Sequence, residues 1–227
     1  MKNILFSLLI LGLLDGCKKI DNYAPPNCTI KGTIVDYQTD SLVESGGSYE
    51  GAIVWFYQVG ATQPQTLNTF PDGTFENSQF FAGDYDYVAQ GPFQLLTTDT
   101  PEVSIKPKST AEVVIKVIPN IRLVASIMSQ TDSSAIINVT YQKVPDSINL
   151  VELGVVFSNI PNPSIVSFAN GNYVAQDVTG LNLVSGETQF TITNLQANQT
   201  YYIRAEGLTD AQGTQYNSYS APIELKE

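Results

Sequence analysis

The chain is 227 residues long and carries 22 acidic and 11 basic residues, a formal charge of −11, with no histidine and two cysteines. An isoelectric point near 4.3 argues against nucleic acid as a partner, which needs clustered Lys and Arg to displace phosphate counterions, and against electrostatic adhesion to an anionic membrane, which leaves any anchoring to a lipid. The missing histidine excludes Ser-His-Asp and Cys-His catalysis and removes the commonest transition-metal ligand; two cysteines are too few for a thiolate metal centre, so no cofactor and no metal is expected.

In chain order, Lys2 and Asn3 are followed by an apolar run, Ile4 to Leu14, broken only by Ser7 and Gly12, and then by Asp15, Gly16 and Cys17. At ~1.5 Å per residue the run spans about half of a ~30 Å hydrocarbon core, too short for a transmembrane helix and right for a secretory signal. Leu14-Asp15-Gly16-Cys17 resembles the lipobox of bacterial lipoproteins, with Asp15 where a small residue is usual. The resemblance implies cleavage after residue 16 and acylation of Cys17; the alternative is an ordinary secretory signal with Cys17 incidental. Removing residues 1–16 takes away Lys2 and Asp15 and leaves the charge unchanged. Residues 17–27, with Pro25-Pro26, read as an extended, lipidated tether.

The strand signals begin at Cys28. Cys28 to Asp36 and Gly51 to Gln58 read as strands joined by a polar loop through Ser45-Gly46-Gly47-Ser48. Thr66 to Phe70 and Thr74 to Asn77 flank Pro71-Asp72-Gly73, which reads as a hairpin turn. Gly83 to Ala89 alternates, with Tyr85, Tyr87 and Ala89 on one face, and Ala111 to Ile118 closes the first half. These segments resemble the carboxypeptidase-regulatory-like, transthyretin-type sandwich. Gly32, Asp36, Gly51, Ala52, Val54, Asp72, Gly73, Phe75, Gly83 and Tyr85 stand at its recurring packing and turn positions, none of them catalytic.

Pro119 marks a boundary, because it cannot donate to a ladder. Beyond it come IRLVASIM, SAIINVTYQ and VELGVVFS, and then a segment around Leu195, Tyr201 and Arg204 that resembles strands E, F and G of a fibronectin type III or immunoglobulin-like sandwich. Leu195 and Tyr201 match its tyrosine corner. The usual core tryptophan is absent, and Tyr141 is the residue placed to fill its space. No segment after the signal sustains a helical period. The expected fold is therefore all-β, two tandem antiparallel sandwiches over 28–118 and 119–227 behind a signal peptide (1–16) and a tether (17–27).

Lipobox, tether and two sandwiches in this order resemble an uncharacterised two-domain lipoprotein family of Bacteroidetes-type bacteria, associated with starch-utilisation-type glycan import. The resemblance implies a lipid-anchored location at the outer membrane, surface-exposed, with the membrane, a glycan and importer subunits as partners. The function expected is non-catalytic glycan capture or support of the importer; the alternative is a structural or adhesion module making protein–protein contacts at the cell surface.

The ligand-binding candidates are Trp55 and Tyr57. With Ala52, Val54 and Phe56 facing inward, alternation sends both rings to the outer face of their strand, as a stacking platform or as a surface covered by the second sandwich or by loop 59–70. Asp72, Asp84 and Asp86 read as a turn and a solvated face rather than as a cation site or a glycosidase pair. Cys28 reads as a buried small hydrophobe, with an intermolecular disulfide as the alternative. Ser41 and Ser147 lie in Asp-Ser-Leu and Asp-Ser-Ile, which resemble short O-glycosylation acceptors. Arg204 is expected to face solvent or pair locally.

Overall fold

A computed structural model describes residues 24–47, 51–165, 172–211 and 216–226, and no helix occurs among them; Cys17 lies outside the described residues. In chain order the strands are β1 (Cys28–Asp36), β2 (Ile53–Gln58), β3 (Gln65–Asn68), β4 (Thr74–Phe80), β5 (Gly83–Gln90), β6 (Phe93–Leu95), β7 (Glu102–Ile105) and β8 (Thr110–Pro119). They continue as β9 (Ile121–Thr131), β10 (Ser134–Lys143), β11 (Leu150–Ser158), β12 (Asn172–Asp177), β13 (Ser185–Thr193), β14 (Thr200–Thr209), β15 (Ser218–Tyr219) and β16 (Ile223–Lys226).

The first eight strands form two sheets, ordered β4-β1-β8-β6 and β3-β2-β5-β7. Alternation decides what fills the space between them: Ile30, Ile34 and Phe75 from one sheet meet Val54, Phe56 and Tyr85 from the other, all buried. Phe80 joins them, its ring edge-on to Phe56 at 5.5 Å and to Tyr85 at 5.3 Å. Gly32 faces the same interior opposite Phe75, and a Cβ there would lie 2.4 Å from the Phe75 ring and 2.3 Å from the Val113 carbonyl oxygen. Glycine is required because the ring crosses the strand at that point.

Two expectations change here. Residues 70–74 are a corner between sheets, not a hairpin: β3 belongs to the sheet of β2, and β4 to the sheet of β1. The turn itself is as expected, with the Gly73 N–H bonded to the Phe70 carbonyl (3.0 Å) and the Asp72 carboxylate accepting from the Thr74 N–H and hydroxyl. The apolar positions on each side face one core from opposite sheets, so the chain crosses over instead of folding back. The ladders also include one parallel pair, β1 with β8, while all other pairs are antiparallel. Parallel neighbours need a long crossover, and the intervening strands of the first half supply it.

The remaining strands form sheets ordered β13-β10-β9 and β12-β11-β14-β15, with β16 also paired to β14. Ile137, Val139 and Phe190 pack against Val155, Phe157 and Ile203 across the second core. Tyr141 is buried in this core and lies against Gly186, where a Cβ would come within 2.9 Å of its hydroxyl. The Tyr201 hydroxyl accepts a bond from the Gln196 N–H at 3.0 Å, which closes the tyrosine corner. β15 and β16 are two pieces of one edge, interrupted at Ala221-Pro222.

A single residue, Asn120, separates β8 from β9. It is buried; its N–H bonds the Pro92 carbonyl, and its own carbonyl accepts from Val144. No exposed linker separates the two halves.

Candidate functional site

The outer face of the β3-β2-β5-β7 sheet carries the aromatic candidates. Trp55 is half-buried and stands in a cross-strand row between Thr66 and Val88; Tyr57 is 37% exposed and stands beside Asp86, which faces Glu102 on β7. Ile53, between Asn68 and Gln90, completes the outward side of β2. Asp84 lies further along β5 and accepts a bond from the Ser104 hydroxyl at 2.6 Å. The face is thus a short aromatic strip flanked by amide, hydroxyl and carboxylate groups. Such a strip suits a ligand with apolar patches and many hydroxyls, because rings cover the patches while the polar rim accepts and donates hydrogen bonds. Loop 59–64 leads into β3, which lies beside β2 in the same sheet and does not stack on it. Among the described residues, the hydrogen bonds and ion pairs that join the two sandwiches do not involve β2.

Those bonds lie at the far end of β1 and bring two of the buried charged side chains among the described residues, Asp36 and Arg204, to the junction. Asp36, the aspartate that ends the first strand motif, is buried and receives Arg122 Nε at 2.5 Å and Nη2 at 3.1 Å, together with the Gln38 N–H. Burial alone would raise its carboxyl; the bonds from Arg122 and Gln38 outweigh burial and hold it below its ordinary value.

Arg204 corrects the expectation of a solvent-facing strand residue, for it is fully buried. Its Nε donates to the Ser220 carbonyl (2.8 Å), Nη1 to the Ser45 carbonyl (3.0 Å), and Nη2 to Glu44 (3.1 Å) and the Pro71 carbonyl (3.3 Å). Its guanidinium also sits 4.6 Å from the centre of the Tyr219 ring. Burial pushes its pKa down to about 10, so it stays charged at neutral pH. Burial likewise raises the Glu44 carboxyl, against the opposing pull of Arg204. The loop read as polar is therefore partly interior: Ser45 is buried, its hydroxyl 3.1 Å from that of Thr69. No signal in the sequence marks Arg204, because strand alternation reports which face a residue takes and not what covers that face.

A cleft of about 390 Å³ opens at this junction, lined by Thr39, Ser41, Leu42, Glu44, Arg122 and Val124 among others. The acceptor candidate Ser41 lies on its wall, and Ser147 is exposed in the turn between β10 and β11. Cys28 is buried, its thiol 3.4 Å from the Lys106 carbonyl, which withholds it from an intermolecular disulfide. On the outer side of β14, the hydroxyl of Tyr173 donates to Glu152 and lies 3.0 Å from the buried Glu206, which Asn217 also bonds. Desolvation and the two carboxylates raise the Tyr173 pKa, so the phenol stays protonated. Among the described residues no group of three or more Cys, Asp or Glu side chains could hold a metal ion.

No protein-family model and no curated protein matches this sequence. Solved structures do share its architecture. One is described as a "putative carbohydrate binding protein" from Bacteroides uniformis, at 21% identity and a TM-score of 0.75, covering 89% of this chain and 100% of that one. A DUF3823 family protein from the same species matches at 18% identity and a TM-score of 0.74, covering 88% and 99%. A DUF3823 family protein from Parabacteroides merdae matches at 19% and 0.71, covering 89% and 100%. The class defined by the fold is thus an all-β, two-sandwich architecture that this chain shares over nearly its whole described length with DUF3823 family proteins. The resemblance read from the sequence agrees with these neighbours at the level of fold, and none of the three is described as an enzyme.

Proposed function

We propose that this chain is a non-catalytic, lipid-anchored protein of the outer-membrane surface that binds carbohydrate on the outer face of the β3-β2-β5-β7 sheet, as an accessory to glycan capture. The observation that carries the reading is the outward strip of Trp55 and Tyr57, rimmed by Thr66, Asn68, Asp86 and Glu102 and clear of the bonds that join the two sandwiches. The description of one structural neighbour as a carbohydrate binder supports the same ligand class. Cys17, at the end of a signal-like run, supplies the anchor in this reading.

The test is a glycan array with residues 18–227, followed by titration of the best ligand. Trp55→Ala and Tyr57→Ala are each expected to weaken binding at least ~10-fold, as central aromatic anchors do. Unchanged affinity in both variants sinks the platform. For the anchor, Cys17→Ser is expected to move the protein out of the outer-membrane fraction; a variant that still fractionates with the membrane refutes acylation.

A second reading, a structural module that spaces or holds a neighbouring subunit, is favoured by the charged and hydrogen-bonded junction around Arg122 and Arg204. It predicts no glycan affinity and normal membrane fractionation, together with loss of a protein partner when the junction is loosened.

A further inference from the structure

The chain enters the first sandwich at one end of β1, and the second sandwich is attached at the other. At the entering end, the Asn27 N–H bonds the Phe80 carbonyl (3.1 Å), the Thr29 N–H bonds the Ser109 carbonyl (3.0 Å), and the Cys28 thiol meets the Lys106 carbonyl. The β4–β5 connection (81–82) and the β7–β8 connection (106–109) therefore flank the point of arrival. Loop 59–64 closes the same end, since the Val59 N–H bonds the Asp84 carbonyl (2.9 Å) and neighbouring Gly83 pairs with Ile105.

The composition of this pole departs from the rest of the molecule. Its connections read Val59-Gly60-Ala61-Thr62-Gln63-Pro64, Phe81-Ala82 and Lys106-Pro107-Lys108-Ser109, reached through Ala24-Pro25-Pro26-Asn27. They hold two lysines, and the carboxylate at this end, Asp84 at the start of β5, accepts a bond from the Ser104 hydroxyl at 2.6 Å. The other described cations are engaged: Lys31 with Glu112, Lys116 with Asp40, Arg122 with Asp36, Arg204 with Glu44, Lys226 with Glu224, and Lys143 with backbone carbonyls. Lys106 and Lys108 are exposed and make no ion pair among the described residues. In the connections at the same end, Val59 is 66% and Phe81 39% exposed. Exposed apolar side chains next to uncommitted lysines are the combination that contacts a bilayer interface, the former at the headgroup–acyl boundary and the latter at the phosphates.

We infer that this pole docks on the anionic phospholipid surface of the membrane that carries the chain. The inference rests on the Cys17 anchor proposed above. Fully extended, the tether from Cys17 to Asn27 reaches at most about 35 Å, so an anchored Cys17 keeps the pole at the bilayer. The second sandwich stands off by at least the length of β1, nine residues or about 30 Å. The net charge of −11 opposes contact through acidic surfaces, so an anionic membrane favours this end, where two exposed lysines outnumber the single carboxylate of Asp84. Docked in this way, β2 rises from the membrane, with Tyr57 nearest the surface and Trp55 and Ile53 further from it.

The experiment uses the lipidated full chain with Trp55→Phe and Phe81→Trp, which leaves one tryptophan, at the pole. The chain is reconstituted on phosphatidylcholine–phosphatidylglycerol vesicles with brominated acyl chains. Docking gives a blue-shifted, quenched emission, and adding Lys106→Glu and Lys108→Glu lowers the quenched fraction about fivefold or more, at roughly the strength of one surface lysine. Floating vesicles that carry the chain with unquenched, water-like emission overturn the docking and leave the anchor intact; a chain that fails to float overturns the anchor and the docking with it. A second measurement keeps the native sequence: amide hydrogen exchange of the lipidated chain on vesicles and in detergent micelles. Docking slows exchange on vesicles over 59–64, 81–82 and 106–109 and leaves 37–42 unchanged, whereas equal rates everywhere overturn it.

Discussion

Arg204 and Asp36 show what single buried charges do at the junction. Removing the Arg204 side chain strands Glu44 and the carbonyls of Ser45, Pro71 and Ser220 without their donor. Arg204→Ala is therefore expected to destabilise the protein by about 3 kcal/mol, the order found when one member of a buried pair is deleted, with chemical denaturation as the measurement. Asp36 makes a prediction in pH. Its folded carboxyl titrates below the ordinary value of 3.8, so the stability it contributes is complete above 3.8 and is lost as the pH falls through the lower folded value. Asp36→Asn should flatten the stability profile in that acid window. Glu44 acts with the opposite sign. Its raised carboxyl favours the folded state below the ordinary 4.5, and that contribution fades as the pH rises through the raised value.

At the scale of elements, Gly32 carries the sharpest expectation. A methyl group there meets the Phe75 ring and the Val113 backbone at once. Only the ring could move, so Gly32→Ala should cost about 3 kcal/mol, read as a lowered thermal midpoint. The long strands are legible in the sequence because alternation is strong wherever one face is buried: β1, β2, β5, β10 and β14 lie where their apolar positions predict. The short edge strands β6 and β7 are not legible, since three or four residues cannot establish a period, and β15 and β16 are read only through the resemblance to strand G. The corner at 70–74 escapes the sequence for a related reason. Asp72-Gly73 specifies a turn, but whether the two arms pair or part depends on which sheet offers each arm an open edge.

For the whole molecule, the two sandwiches, the junction and the aromatic strip lie in separate places, and the predictions separate accordingly. On the proposed function, alanine at Trp55 or Tyr57 should weaken glycan binding at least ~10-fold with little change in stability, because neither ring belongs to a core cluster. Alanine at Arg204 should do the reverse. Differential scanning calorimetry alongside glycan titration distinguishes the two outcomes, and a Trp55→Ala variant that loses several degrees of stability would show that its ring serves packing instead.

Read alone, the sequence determined the all-β class, the inward and outward faces of the long strands, the buried Cys28, the tyrosine corner of Tyr201 and the outward direction of Trp55 and Tyr57. These follow from local rules, namely side-chain alternation, turn residues and short motifs, each of which acts over a few positions. Tertiary structure alone decided that Arg204 and Ser45 are interior, that Asp36 reaches across to Arg122, and that Lys106, Lys108, Phe81 and Val59 share one end of the molecule. The partners in these contacts are as many as 160 residues apart, and no local pattern encodes which distant surface will cover a given side chain.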